Sequence, residues 1–117
     1  MKENIIQIKS YAFAVRIVKV YQNLCDEKKE YVLSKQLIRS GTSIGANIEE
    51  AIGGQSEKDF YAKLTIAYKE AIETHYWIRL LTDNYLSKEE NKSLINDVDE
   101  LLKIIGSIQK TLRSKNS

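Results

Sequence analysis

The sequence contains no proline among its 117 residues, so no residue in it forces a helix to kink or stop. Helix ends must instead be set by charge clusters, glycines and capping residues. Breaks of these kinds fall at residues 26–30, 53–55 and 83–86. They predict four helices, over residues of about 5–25, 31–52, 57–83 and 88–113.

Local signals mark several of these helix ends. Ser56 with Asp59 resembles a capping box, and Ser87 with Glu90 fits the full Ser-x-x-Glu form. A double glycine at 53–54 follows the second segment. It predicts a left-handed stop, because glycine adopts positive φ without a steric penalty.

Cysteine and histidine are nearly absent. The single Cys25 excludes an internal disulfide, and the single His75 excludes the paired Glu-x-x-His motifs of ferritin-like di-metal bundles. The adjacent Glu49 and Glu50 point in different directions around a helix and do not form a glycosidase-like carboxylate pair. We therefore assign no catalytic residue, no metal and no cofactor, and we expect a protein that is not an enzyme.

Long apolar runs are missing too. No run approaches the roughly 20 residues of a membrane span, and the first residues lack the apolar stretch of a signal peptide. We expect a cytoplasmic protein that has no contact with membranes.

Apolar residues recur at helical spacing in all four segments. Long helices joined by loops of a few residues must run antiparallel to their neighbours. We therefore expect an all-α chain, a single domain over residues 1–117 that forms an up-down-up-down antiparallel four-helix bundle. The expected core face of the first helix consists of Ile8, Tyr11, Ala12, Val15, Val18 and Leu24, widened by Ile17 and Tyr21. That of the third consists of Phe60, Leu64, Ala67, Ala71, Thr74, Ile78 and Leu81, and that of the fourth of Leu94, Ile95, Val98, Leu101, Leu102, Ile105, Ile108 and Leu112.

The second helix contains the main conflict in the sequence. Gly41 and Gly45 lie inside it, although each glycine costs roughly 1 kcal/mol relative to alanine in a helix. They are four residues apart and share a face, which lets a neighbouring backbone approach closely. We interpret the segment as a contact surface.

The same segment matches the Gly-x-Ser-x-Gly pattern of a serine-hydrolase nucleophile elbow around Ser43. Such an elbow requires a strand before the serine and a helix after it. Residues 31–40 already have helical spacing, so the sequence disfavours a hydrolase.

Polar residues form a stripe on the second helix at steps of four, four and three. One interpretation is a solvated helix face, and the other is a binding face. Seven tyrosines and Trp77 favour the second, because they exceed what a small bundle can bury and are enriched at protein interfaces. The stripe consists of Arg39, Ser43, Asn47 and Glu50.

Charge is nearly balanced overall, with a formal net charge of +2. The amino-terminal hairpin is basic, whereas residues 41–60 are acidic. For one chain this charge is weak evidence of nucleic-acid binding. A ring of chains would repeat a basic face along one surface, and the phosphate contacts would then add.

The chain resembles the four-helix bundle proteins encoded within intervening sequences of bacterial large-subunit ribosomal RNA genes. The resemblance spans nearly the whole chain. It is carried by Tyr11-x-Phe13-Ala14, by Leu37-x-Arg39-Ser40-Gly41-x-Ser43-Ile44-x-Ala46-Asn47-Ile48-x-Glu50-Ala51, and by Phe60, Ala67, Glu70 and Trp77. That family is similar in fold to the accessory protein of diversity-generating retroelements, a five-membered ring with a basic surface that binds nucleic acid and a reverse transcriptase.

The resemblance implies a homopentamer without established catalytic activity. It implies contacts between helices and between subunits for a motif of seven residues, which are Arg39, Ser40, Gly41, Ser43, Gly45, Asn47 and Glu50. Surface character alone suggests the candidate phosphate contacts, which are Arg16, Lys19, Lys35 and Arg39. The implied partners are RNA or DNA and a protein such as a reverse transcriptase.

Two hypotheses from different functional classes follow. The first is a ring-forming accessory protein that binds nucleic acid with strong salt dependence. The second is a structural or adaptor bundle that binds a protein partner through its tyrosine-rich surface and ignores polyanions.

Overall fold

The computed structural model describes residues 4–116, which form four helices. Helix α1 spans Ile5–Asp26, α2 spans Leu33–Ile52, α3 spans Glu57–Leu80 and α4 spans Lys88–Lys115. Each helix packs against the next one along the chain, and α4 returns beside α1. This arrangement confirms the predicted all-α antiparallel four-helix bundle, which is elongated with principal extents of 48 × 25 × 21 Å. Over residues 4–116, every helix falls short of the apolar length that a membrane crossing requires.

Both predicted serine caps are present. The hydroxyl oxygen of Ser56 accepts a hydrogen bond from the Asp59 N–H at 3.0 Å. The hydroxyl oxygen of Ser87 accepts one from the Glu90 N–H at 3.1 Å. Each bond satisfies a backbone donor that has no partner within the first turn of its helix. These two capping serines therefore determine where α3 and α4 begin.

The end of α2 differs from the prediction. The helix stops at Ile52, but Gly53 has a φ of −80°, and no glycine within residues 4–116 has a positive φ. The N–H groups of Gly53 and Gly54 donate to the carbonyls of Glu49 and Ala51, which closes the helix with right-handed backbone. The predicted left-handed stop is therefore wrong. Positive φ angles occur in the other two loops instead, at Lys29 and Asp83.

Three helix ends lie a few residues from their expected positions. Helix α2 begins at Leu33 rather than 31, because the chain makes a separate capping turn around Glu30 first. Helix α3 ends at Leu80 rather than 83, and the N–H of Leu81 is shared between the carbonyls of Trp77 and Ile78. Helix α4 continues to Lys115.

The core uses the expected faces of α3 and α4. Thr74 is the buried polar residue of the α3 face, while Phe60 at its start is only half-buried. The apolar residues buried in these two helices are Leu64, Ala67, Ala71 and Ile78 from α3, and Leu94, Val98, Leu101 and Ile105 from α4.

Of the core residues predicted for α1, Ile17 and Leu24 are buried, but the rest of the buried face differs from the prediction. Both faces of α1 are apolar, and the core takes the one that contains the small Ser10, because only that face lets α1 approach the glycines of α2. The buried residues are Ile6, Ser10, Phe13, Ile17, Val20 and Leu24. The opposite face, here called the α1 stripe, consists of Ile5, Ile8, Tyr11, Ala12, Val15 and Val18. Its five large side chains remain between 37% and 68% exposed.

Candidate functional site

The two glycines of α2 face α1 within the same chain. A Cβ atom at Gly41 would lie 2.9 Å from Cγ2 of Ile17, and one at Gly45 would lie 3.3 Å from the backbone oxygen of Ser10. Both distances are shorter than an ordinary van der Waals contact. The helices therefore touch where the side chains are missing, as the sequence predicted, and the contact is between helices of one subunit.

Ser40 connects α2 to α3 instead. Its side chain is fully buried, and its hydroxyl lies 2.9 Å from the hydroxyl of Thr74. Thr74 also donates to the Glu70 carbonyl at 2.7 Å. These bonds satisfy two buried hydroxyls that would otherwise destabilise the core. The consecutive residues Ser40 and Gly41 thus specify the positions of two different neighbours of α2.

Arg39 binds two carboxylates of α3. Its guanidinium donates to Glu70 at 3.3 Å and also to Glu73, which accepts a further bond from the Trp77 indole at 2.9 Å. The hydrogen bond from Trp77, followed by the one from Arg39, holds the pKa of Glu73 below its usual range. The hydrogen bond to Glu73 raises the pKa of Arg39. This cation is therefore already paired.

The remaining polar residues of the α2 stripe make short-range contacts. The Ser43 hydroxyl donates to the Arg39 carbonyl at 2.6 Å, and the Asn47 amide donates to the Ser43 carbonyl at 2.8 Å. Glu50 pairs with Lys63 of α3 at 2.7 Å. Ser43 lies in the middle of a helix, so the strand-turn-helix context of a nucleophile elbow is absent at this serine.

The four candidate phosphate contacts are not brought together as one site. Arg16 faces α4 and pairs with Asp97 at 2.8 Å, whereas Arg39 faces α3. Lys19 and Lys35 are exposed and have no ion pair within residues 4–116. Two of the four cations are therefore available to an external anion.

Arg16 lies at a groove between α1 and α4 and forms its ion pair across this groove. Its floor contains Phe13 and Leu101, and two ion pairs cross it, from Arg16 to Asp97 and from Lys9 to Glu100. All four charged side chains are partly exposed, so each pair contributes little, in the range of about 0–1 kcal/mol. This side of the bundle is held together more weakly than the other three.

Glu30 is a structural cap of α2, although the sequence pattern assigns it only to a break between helices. It is 9% exposed, and its carboxylate accepts from the N–H groups of Val32 at 3.1 Å and Ser34 at 2.7 Å. Burial tends to raise the pKa of this carboxyl, but the backbone N–H groups outweigh it and lower the pKa. An acid at the end of a charge cluster and next to a helical pattern is the sequence signal for such a cap.

A second groove lies between the first turns of α3 and the last turns of α4. It has a volume of about 580 Å³, and its lining includes the ring of Tyr61 and the side chain of Leu112. Arg113 donates to the Tyr61 hydroxyl at 2.7 Å across this groove. No pattern in the sequence indicates this groove, because the contact joins residues that are far apart in the chain.

Within residues 4–116, no group of three or more His, Cys, Asp or Glu side chains could hold a metal ion. His75 lies 3.4 Å from Asp99 of α4, and this contact joins α3 to α4. Cys25 is half-buried, with its sulfur 3.7 Å from the Ser34 hydroxyl.

The chain is similar to a known protein family and to solved structures. The family model of the 23S rRNA-intervening sequence protein matches residues 2–107. A crystal structure of a protein of unknown function from the S23 ribosomal protein family of Bacteroides thetaiotaomicron is 53% identical, with a TM-score of 0.88. The similarity covers 90% of this chain and 98% of that one. No curated protein matches. Because the family model covers most of the chain, this chain belongs to the 23S rRNA-intervening sequence protein family.

Proposed function

We propose that the protein is a non-enzymatic, cytoplasmic bundle that assembles into a pentameric ring and acts as a nucleic-acid-binding accessory protein. The observation that supports this proposal best is the α1 stripe, whose large apolar side chains remain 37–68% exposed along one helix face. Burying a half-exposed aliphatic side chain contributes on the order of 1 kcal/mol. A continuous stripe is therefore a surface that a second subunit can cover.

Two exposed cations support the nucleic-acid part of the proposal. Lys19 lies one helical turn beyond Val15 and continues the line of the α1 stripe, while Lys35 lies near the start of α2. Neither has an ion pair within the described residues. A ring repeats both lysines in every subunit, so several phosphates can be contacted even though one chain has a net charge of only +2.

Multi-angle light scattering tests the assembly and the binding together. We expect a mass near five chains, rising when a single-stranded oligonucleotide is added at low salt and rising less at physiological salt. A monomer at all concentrations would contradict the ring. A ring whose mass ignores the oligonucleotide at both salts would contradict nucleic-acid binding.

A protein-binding adaptor is the second candidate, and exposed tyrosines favour it. Tyr11, Tyr31 and Tyr76 are 68%, 53% and 47% exposed, and the guanidinium of Arg79 lies 5.6 Å from the centre of the Tyr76 ring. Such amphipathic rings are common in protein interfaces. Tight binding of a purified partner, such as a reverse transcriptase, together with indifference to oligonucleotides would favour this function over the first.

A further inference from the structure

The last part of α4 is basic and free of acids. All five acidic residues of this helix lie at or before Glu100. From residue 101 to residue 116, no Asp or Glu occurs and four cations do. The cations are Lys103, Lys110, Arg113 and Lys115. The last three lie beyond residue 107, where the family match ends.

Much of this positive charge is not compensated. Lys115 pairs with Glu57 at 3.1 Å, whereas Arg113 donates to the neutral Tyr61 hydroxyl and has no ion pair within residues 4–116. Lys110 is exposed and has no ion pair within residues 4–116, and the same holds for Lys58 in the first turn of α3. Charge complementarity therefore favours an anionic partner at this end of the bundle.

The groove between α3 and α4 lies within this basic region. Its volume of about 580 Å³ falls in the range of small-molecule sites, which is about 300–1,000 Å³. Tyr61, Ala62 and Leu112 give it an apolar lining, and the cations Lys58 and Arg113 border it. An apolar, aromatic surface next to cations suits a ligand that combines a flat ring with phosphates.

Glu57 lines this groove, and Asp59 also lies in the first turn of α3. Hydrogen bonds from Asn116 and then from Lys115 hold the pKa of Glu57 below its usual range, so its carboxylate stays ionised, and the ion pair with Lys115 compensates that charge. Asp59 lies toward the α2–α3 loop, since a Cβ atom at Gly54 would lie 3.4 Å from the Asp59 Cβ.

We infer that this groove binds single-stranded nucleic acid, with a base packed against Tyr61 and Leu112. Its backbone phosphates are held by Arg113, which borders the groove, and by Lys110, which lies about one helical turn before Arg113 on α4. Proteins hold single strands by combining aromatic stacking with a cationic track. The inference rests on the proposed nucleic-acid function. It adds a contact on α3 and α4 that the four cations predicted from the sequence do not include.

Fluorescence anisotropy with labelled oligothymidylate and oligouridylate tests the groove. The double variant Lys110→Gln with Arg113→Gln should bind either oligonucleotide at least about tenfold more weakly. The slope of log affinity against log salt should become shallower by about one for each lost phosphate contact. Replacing Tyr61 with Leu should weaken binding without changing that slope, because stacking carries no charge.

Matched variants separate the possible outcomes. Lys92→Gln removes an exposed lysine from the other end of α4 and should bind like the wild type, and Tyr61→Phe should retain most of the affinity. Circular dichroism and thermal melting must show that all variants are folded. Wild-type affinity in the Lys110 and Arg113 double variant, with a loss in a Lys19→Gln and Lys35→Gln double variant, would overturn the inference and leave the proposed function standing. A wild-type protein that binds neither oligonucleotide would overturn both.

Discussion

Glu30 shows how one buried acid can define the start of a helix. Its carboxylate replaces the missing carbonyl partners of the first turn of α2, and its own carbonyl accepts from the Ser34 hydroxyl at 2.7 Å. The charge also lies at the positive end of the helix dipole. A residue that resembles part of a solvated charge cluster in the sequence is therefore a structural cap in the fold.

Replacing Glu30 with Gln should lower the free energy of unfolding by about 1 kcal/mol at neutral pH. Because the folded-state pKa is below that of the unfolded chain, the charge stabilises the fold above about pH 4.3. This contribution is lost as the pH falls through the folded-state pKa. Urea denaturation of both proteins at pH 7 and near pH 3 should therefore show a difference that shrinks with acid.

Glu27→Gln is the matched control, because Glu27 belongs to the same charge cluster but is exposed. It should leave the unfolding free energy unchanged within about 0.5 kcal/mol. An effect of Glu30→Gln that is equal at both pH values would show that the charge of the cap is unimportant.

At the scale of helices, the close packing of α1 against α2 depends on two positions of α2 that have no side chain. Gly41 and Gly45 remove side chains where Ile17 and Ser10 come closest, so the two axes approach more than branched residues would allow. The same requirement determines which face of α1 is buried. Helix α2 therefore sets the rotation of α1, although the α1 sequence has two apolar faces of similar length.

The Gly41→Ala variant should be less stable than the wild type, by about 1–3 kcal/mol, although alanine favours helix formation. The added Cβ would lie 2.9 Å from a side chain that is fully buried and cannot move away. In an Ile17→Ala background the same change should become neutral or stabilising, because the opposing Cγ atoms are gone. A double-mutant cycle by thermal or urea unfolding measures this coupling.

Gly53→Ala provides the comparison, since the nearest atom to its added Cβ is the Glu49 carbonyl oxygen at an ordinary 3.6 Å. It should retain wild-type stability or gain slightly. Additive effects of Gly41→Ala and Ile17→Ala would mean that the close approach does not govern this helix pair.

At the scale of the whole molecule, the surface is divided by polarity. The α1 stripe is apolar, while the outer face of α4 carries exposed residues such as Lys92, Asn96 and Lys103. The side between α1 and α4 is held by partly exposed ion pairs over a small groove. A second copy of the chain is therefore expected on the α1 side of the bundle, and solvent or nucleic acid on the α4 side.

Placing a charge in the α1 stripe should dissociate the assembly. Val15→Glu introduces a carboxylate that would have to be buried without a partner between subunits, which is strongly unfavourable. Light scattering should report a monomer, with the helical circular dichroism retained because Val15 is exposed within the chain.

Asn96→Glu adds the same carboxylate to the exposed polar face of α4 and should preserve the mass of the wild type. If Val15→Glu keeps the wild-type mass as well, the subunits contact each other through another surface.

The parts of this fold that were predictable depend on residues close together in the chain. The caps at Ser56 and Ser87 each involve a donor three residues away, so both helix starts could be identified. The glycine face of α2 could be identified because glycine disfavours helix formation, whereas the residues around it have helical spacing. The left-handed stop at Gly53 was wrong, because hydrogen bonds to Glu49 and Ala51 close the turn without it.

The sequence by itself determined the four helices, their antiparallel order and the close-contact face of α2, because periodicity, caps and short loops act locally. Tertiary structure alone decided which face of α1 is buried, which cations are paired and that Tyr61 meets Arg113 across a groove. These outcomes depend on side chains from helices that are distant in sequence. Their positions depend on how the side chains of different helices fit together, and the residue pattern of a single helix gives no information on that fit.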